Sequence, residues 1–306
     1  MGPTIFLLGA GASADAGMPL VAELTRELRQ RLHSDADFRC AELFDALTKC
    51  DPEIASNYER FFEWIQLLIK LQTKPFRQLV SGYVVDQELL NAAQHAPFLV
   101  KSPICDILRS RRQCTSYRPG YFGGLRKFIP ASGRLKVFTT NYDLCLEDGC
   151  QNEGIDVVTG FDSKGRWRPS CSEGTARGIN LYKLHGSLNW GQLSERIVSY
   201  PLDWDGEPEL VLGPGKKLQH DEPFVTLYAE FHRALRRAKT LVAIGCSFRD
   251  DHIRRPVVGA VHHFGVKVIE VYSKSLNESE QLIPLSAKKA LEGGKIGRVV
   301  GNARSA

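Results

Sequence analysis

The sequence predicts an α/β fold, a Rossmann-like doubly wound parallel sheet carrying a helical insertion. Three observations predict it. Short apolar runs of strand length recur along the chain, separated by helical or irregular crossovers. The first run leads into a Gly-rich loop and then a helical pattern. Polar or glycine-containing clusters stand directly after four of the runs, which is where ligands bind in parallel sheets.

Thr4 to Leu8 is continuous and apolar, and reads as a buried strand. Gly9-Ala10-Gly11-Ala12-Ser13-Ala14-Asp15-Ala16-Gly17-Met18-Pro19 follows it. Leu20, Val21, Leu24, Leu28 and Leu32 then repeat at helical spacing. From about Ala36 to Pro130 the chain shows no alternating strands, and this span reads as a helical insertion within one domain covering residues 1–306. Its strongest helix is Tyr58 to Leu71, with weaker ones over Val84 to Ala96 and Pro103 to Arg112. Tyr58, Phe61, Phe62 and Trp64 suit packing better than base stacking, and Asn57 suits an N-cap. Strand signals return at Leu135 to Thr139, Ile179 to Leu184, Thr240 to Ile244 and Val266 to Tyr272, with a helix over Phe224 to Lys239. Residues 160–178 and 200–221 read as irregular.

Composition narrows the function class. The net charge of +5 is mildly basic, which suits an anionic ligand but is too weak to argue for nucleic acid. The arginine clusters around Arg109 to Arg112 and Arg233 to Lys239 read as solvated faces. None of the eight cysteines forms a C-x-x-C pair, so the strong zinc spacing is missing. The first ten residues lack a basic flank and run straight into the Gly loop, so they read as a strand rather than a secretory signal. The expectation is therefore free thiols in a reducing cytoplasm. No apolar run reaches the ~20 residues of a membrane span.

The loop after the first strand has the makings of a pyrophosphate site. Gly9 and Gly11 would permit tight, positive-φ turns and close approach of a ligand. The next helix N-terminus would offer N–H groups and a positive dipole end. Its pattern is not a strict G-x-G-x-x-G, and a plain strand-to-helix turn explains it equally well. Asn141 and Asp143 could simply cap a turn. His185 before Gly186 could be structural, and Gly245-Cys246-Ser247-Phe248 could be a plain turn.

Their order changes that weighing. Gly9-Ala10-Gly11-Ala12-Ser13 with Gly17-Met18-Pro19, Thr139-Thr140-Asn141-Tyr142-Asp143, Leu184-His185-Gly186-Ser187 and Gly245-Cys246-Ser247-Phe248 occur in sequence. This set resembles the Sir2 superfamily, whose motifs run GAGxSxxxGIP, TQNID, HG and GTS. The resemblance implies NAD as substrate. Gly9, Ala10, Gly11, Ala12 and Ser13 would wrap its pyrophosphate. Asn141 would sit at the nicotinamide ribose, Asp143 near the carboxamide, and His185 would be the general base. Gly245, Cys246 and Ser247 would hold the adenosine side, with Tyr272 and Ser273 bordering the adenine. On this resemblance Gly11→Val should block NAD by filling the space the pyrophosphate needs.

Three features depart from sirtuin deacylases. Cys246 alone follows His185, so the two C-x-x-C pairs of their zinc module are missing. The D-F-R segment after the first loop is replaced by Leu20-Val21-Ala22, and Tyr142 stands where the family has Ile. The chain thus resembles the Sir2-like NADases of bacterial anti-phage defence, in particular stand-alone chains encoded beside a HerA-type ATPase. That resemblance implies an NAD glycohydrolase releasing nicotinamide and ADP-ribose, homo-oligomers, a HerA-type partner and no zinc. The competing readings are a zinc-free protein deacylase and a non-catalytic NAD or ADP-ribose sensor. A sensor would need neither Asn141 nor His185.

Overall fold

A computed structural model describes residues 3–34, 38–73, 87–170, 176–212, 221–272 and 296–300. The chain divides into two compact units. One holds Met1–Met18, Cys114–Leu210 and Leu218–Ala306; the other holds Pro19–Gln113 and Val211–Lys217.

The first unit is built on a sheet. Its strands are β1 (Thr4–Leu8), β2 (Arg134–Thr139), β3 (Val157–Val158), β4 (Gly178–Lys183), β7 (Thr240–Ile244), β8 (Lys267–Tyr272) and β9 (Ile296–Val300). They lie in the order β3-β4-β2-β1-β7-β8-β9, and every pairing is parallel. The sequence expectation of a doubly wound parallel α/β sheet is met. β1 and β4 are apolar along most of their length because parallel strands are covered on both faces. The chain leaves β1 to build one half of the sheet, then returns to its other edge at β7. Such a reversal opens a crevice at the carboxyl ends of the central strands.

Several elements of this unit were not legible as such. β5 (Trp190–Leu193) and β6 (Arg196–Ser199) form a separate antiparallel hairpin. In the first unit α1 (Gly11–Ala14) is a single turn, and α6 (Cys145–Asn152) follows β2. The expected helix before β7 is α7 (Phe224–Arg237). A further helix, α8 (Asp251–Phe264), fills the crossover from β7 to β8. Its signals were present. Asp250 accepts from the His252 amide, Ile253, Val257, Ala260 and Val261 are buried on one face, and Gly265 ends it at φ 69. Pro256 inside the helix masked the pattern.

The second unit is helical. It contains α2 (Val21–Ser34), α3 (Phe38–Cys50), α4 (Tyr58–Leu71) and α5 (Gln87–Gln113). The two weak helices expected between 84 and 112 are one helix that continues through Pro97 and Pro103. Asn57 caps α4 by accepting from the Glu59 and Arg60 amides. Phe61 packs edge-on against Phe44 with ring centroids 4.7 Å apart. The Thr25 hydroxyl accepts from the Tyr58 amide at 2.9 Å and joins α2 to α4. Arg111 pairs with Glu23 and Glu27, so this arginine is spent on the unit's own packing. Among the described residues, no helix is long and apolar enough to cross a membrane.

Candidate functional site

Strand register gathers the motifs. Leu8 stands opposite Thr139 on one side and Ile244 on the other, and Thr139 stands opposite Lys183. The strands β1, β2, β4 and β7 therefore end level with one another. The residues that leave them, Gly9, Thr140, Leu184 and Gly245, begin four loops at one edge of the sheet. The loops are also tied together. The Thr140 amide donates to Leu8 O at 3.1 Å, the Leu184 amide to Thr139 O at 2.9 Å and the Leu188 amide to Tyr142 O at 3.0 Å.

The first and last of these loops meet backbone to backbone. The Gly9 amide donates to Ile244 O and the Gly11 amide to Gly245 O, at 3.0 and 3.1 Å. A Cβ on Gly9 would lie 2.5 Å from Gly245 O, and one on Gly11 2.7 Å from Gly245 Cα. Gly245 has φ 61, and its own Cβ would lie 2.3 Å from the Ala12 nitrogen. Positive φ falls on Gly17 and Gly245 rather than on Gly9 and Gly11. Gly9 and Gly11 are thus demanded by close approach of another backbone. Ala12 and Ser13 amides donate to Gly9 O and Ala10 O, closing the single turn of α1. In the structure, a side chain at position 11 is aimed at Gly245. Gly11→Val is accordingly expected to lower stability by about 1–3 kcal/mol through overpacking, measured by thermal melting. A melting curve equal to that of the wild type would show that the two loops part without cost.

Asn141 is fastened to the first loop. Its Nδ2 donates to Gly9 O at 2.9 Å and to Ser13 Oγ at 3.1 Å, and its backbone amide donates to Thr139 Oγ1. Both amide hydrogens are thereby committed, so the carboxamide oxygen is the atom left to act on a ligand. Ser13 is buried, and here it serves as an acceptor for Asn141. Asp143 is buried and accepts from the Cys145 amide at the start of α6. Ala10 and Gly11 are partly exposed at the loop surface, Cys246 is partly exposed and Ser247 is exposed. The Cys246 thiol is pushed well above its ordinary value, first by loss of water contact and then by the Glu270 carboxylate. Burial likewise raises the Cys145 thiol. Ser273 lies outside the described residues, and Tyr272 is the last residue of β8.

His185 follows β4 and is buried. Its Nε2 lies 2.9 Å from Asp250 Oδ2, with side chains 4% and 13% exposed, so the contact is shielded from water. The Tyr142 ring is 6.4 Å from the imidazole, centroid to centroid. Beneath the loops lies a second buried pair. Lys183 Nζ donates to Glu147 Oε1 at 2.8 Å and to Asp143 O at 2.6 Å. Burial pushes the Glu147 carboxyl above its usual range, and Lys183 pulls it partly back. This lysine ties the end of β4 to the turn carrying Asn141 and Asp143.

Asp250, Lys183 and Glu147 were not singled out in the sequence. Lys183 had a readable signal, since it is the one charged residue in the Ile179 to Leu184 run. Asp250 and Glu147 had none, because their partners are distant in the chain. Among the described residues, no group of three or more His, Cys, Asp or Glu side chains is placed to hold a metal ion.

Residues 135–283 match the family model described as a SIR2-like domain. No curated protein matches the chain. Among solved structures, the chain is similar to a Sir2 homologue in complex with NAD, at 13% identity and a TM-score of 0.47, covering 99% of this chain and 85% of that one. It is also similar to a mutant Sir2 homologue in complex with ADP-ribose, at 14% identity and a TM-score of 0.40, covering 99% and 87%.

Proposed function

We propose that this chain is an NAD glycohydrolase that cleaves NAD to nicotinamide and ADP-ribose. The observation that carries the reading is the convergence of Asn141 and His185 with the joined Gly9 to Ser13 and Gly245 to Ser247 loops at one sheet edge. The SIR2-like match over residues 135–283 supports it, since that span includes Asn141, Asp143, His185 and Gly245.

The chemistry follows from those groups. NAD would lie across the crevice with its pyrophosphate on the Gly9 to Ser13 loop and its adenosine towards Gly245, Cys246 and Ser247. The C1′–N bond of the nicotinamide ribose breaks, and its electron pair neutralises the pyridinium nitrogen. Water adds at C1′, and the proton it sheds passes to neutral His185, directly or through a ribose hydroxyl. The Asn141 oxygen orients the water or hydroxyl without adding charge. Asp143 borders the carboxamide. In this reading NAD is consumed as substrate, and no zinc takes part. The biological role that fits is depletion of NAD as an anti-phage effector, acting in the cytoplasm as a homo-oligomer with a HerA-type ATPase partner.

The test is NAD consumption by the purified chain, with products separated by chromatography. Nicotinamide and ADP-ribose from wild type are the expected products. Turnover that requires an acylated lysine peptide would replace hydrolysis with deacylation. Tight NAD binding without turnover, alone or with the ATPase, would favour a sensor. Asn141→Ala is expected to lower kcat about 10²-fold. Full activity in that variant would remove Asn141 from the mechanism.

A further inference from the structure

We propose that Asp250 is a positioning residue for His185, a carboxylate that holds the imidazole in one tautomer and steadies it when it takes a proton. The proposal deepens the hydrolase reading and rests on it for the identity of the base. It starts from geometry. Asp250 Oδ2 lies 2.9 Å from His185 Nε2. The other carboxylate oxygen, Oδ1, accepts from the His252 amide at 3.0 Å, which fixes Asp250 at the N-terminus of α8. A carboxylate held by the backbone cannot follow the imidazole; the imidazole must settle against it.

Two consequences follow for a neutral histidine. In this pairing a neutral His185 would carry its hydrogen on Nε2, beside the carboxylate, and Nδ1 would be the acceptor. When Nδ1 takes the proton, the positive charge forms beside a carboxylate in a site shielded from water, where the attraction is strong. Three other charged groups at these strand ends have partners of their own. Lys183 and Glu147 pair with each other, and Asp143 accepts from the Cys145 amide. The Tyr142 ring beside the imidazole is neutral. The carboxylate in contact with His185 is Asp250, which comes from a different loop and a distant part of the sequence.

Asp250→Asn isolates the charge. Asn caps helices as well as Asp does, so the start of α8 is retained. The first measurement is an NMR titration of the apo chain labelled with ¹⁵N-histidine, with the His185 signal identified by its loss in His185→Asn. In wild type, His185 is expected as the Nε2–H tautomer. In Asp250→Asn both tautomers are expected, because a neutral amide no longer favours one of them. An unchanged tautomer in Asp250→Asn would overturn the proposal. This readout needs no turnover. A chain that shows the change of tautomer but never hydrolyses NAD keeps the pairing and loses the hydrolase. In the turning-over enzyme, Asp250→Asn is expected to lower kcat about 10²-fold with KM for NAD within about threefold. Wild-type kcat in that variant would also overturn it.

Discussion

His185→Ala is expected to abolish NAD hydrolysis, with a loss of about 10³-fold or more in kcat. Histidine is the side chain type whose ordinary titration range lies near neutrality. Asn141 carries no titrating group, and Asp143 and Asp250 are carboxylates, a class of weaker base than imidazole. Removing the imidazole therefore takes away the group best matched to accept the proton near pH 7. It also leaves the Asp250 carboxylate buried without its contact, which costs about 1–3 kcal/mol of stability. The measurement is release of nicotinamide by chromatography, well below the melting temperature, with folding checked by circular dichroism. His185→Asn should lose activity equally while keeping more of the packing. Activity within about tenfold of wild type in both variants would exclude His185 as the base.

Lys183→Met is expected to destabilise the first unit by about 3–5 kcal/mol near neutral pH, the penalty of leaving one member of a buried ion pair without its partner. Lys183 and Glu147 are almost fully shielded, at 1% and 9% side-chain exposure. The loss should depend on pH with a definite sign. Burial raises the Glu147 carboxyl above its ordinary value, and Lys183 opposes that rise. Without the lysine the folded-state value climbs further. A group raised in the folded state supports stability below its unfolded value, and that support fades as pH rises through the folded value. The deficit of Lys183→Met relative to wild type should therefore be smallest near pH 5 and grow towards pH 8, by about 1 kcal/mol or more. Denaturant unfolding at the two pH values measures it. A deficit that does not change with pH would mean that Glu147 is not the group left exposed. The double variant Lys183→Met with Glu147→Leu should recover much of the stability, because the uncompensated charge is gone.

The glycines show what was legible in part. A Gly-rich loop after the first strand is plain in the sequence, and so is the second glycine cluster after Ile244. That the two clusters exist for each other is not, because Gly9 and Gly245 are far apart in the chain and only the β1–β7 pairing brings them into contact. The same holds for the helices. Tyr58–Leu71 stands out by its apolar spacing and Asn57 cap, whereas α8 was hidden by Pro256. A local proline rule weighs against a helix that packing of Ile253, Val257 and Val261 nevertheless holds together.

The sequence by itself determined the parallel α/β class, the strands β1, β2, β4, β7 and β8, and the residue types at their ends. Apolar period and turn chemistry are local properties, and local properties can be read along a chain. Tertiary structure alone decided which strand ends lie level, that both amide hydrogens of Asn141 are spent on the first loop, and that His185 faces Asp250 while Lys183 faces Glu147. Those contacts join residues separated by 36 to 132 positions in the cases of Lys183–Glu147 and Asn141–Gly9. No spacing rule spans such separations; strand order and register supply them.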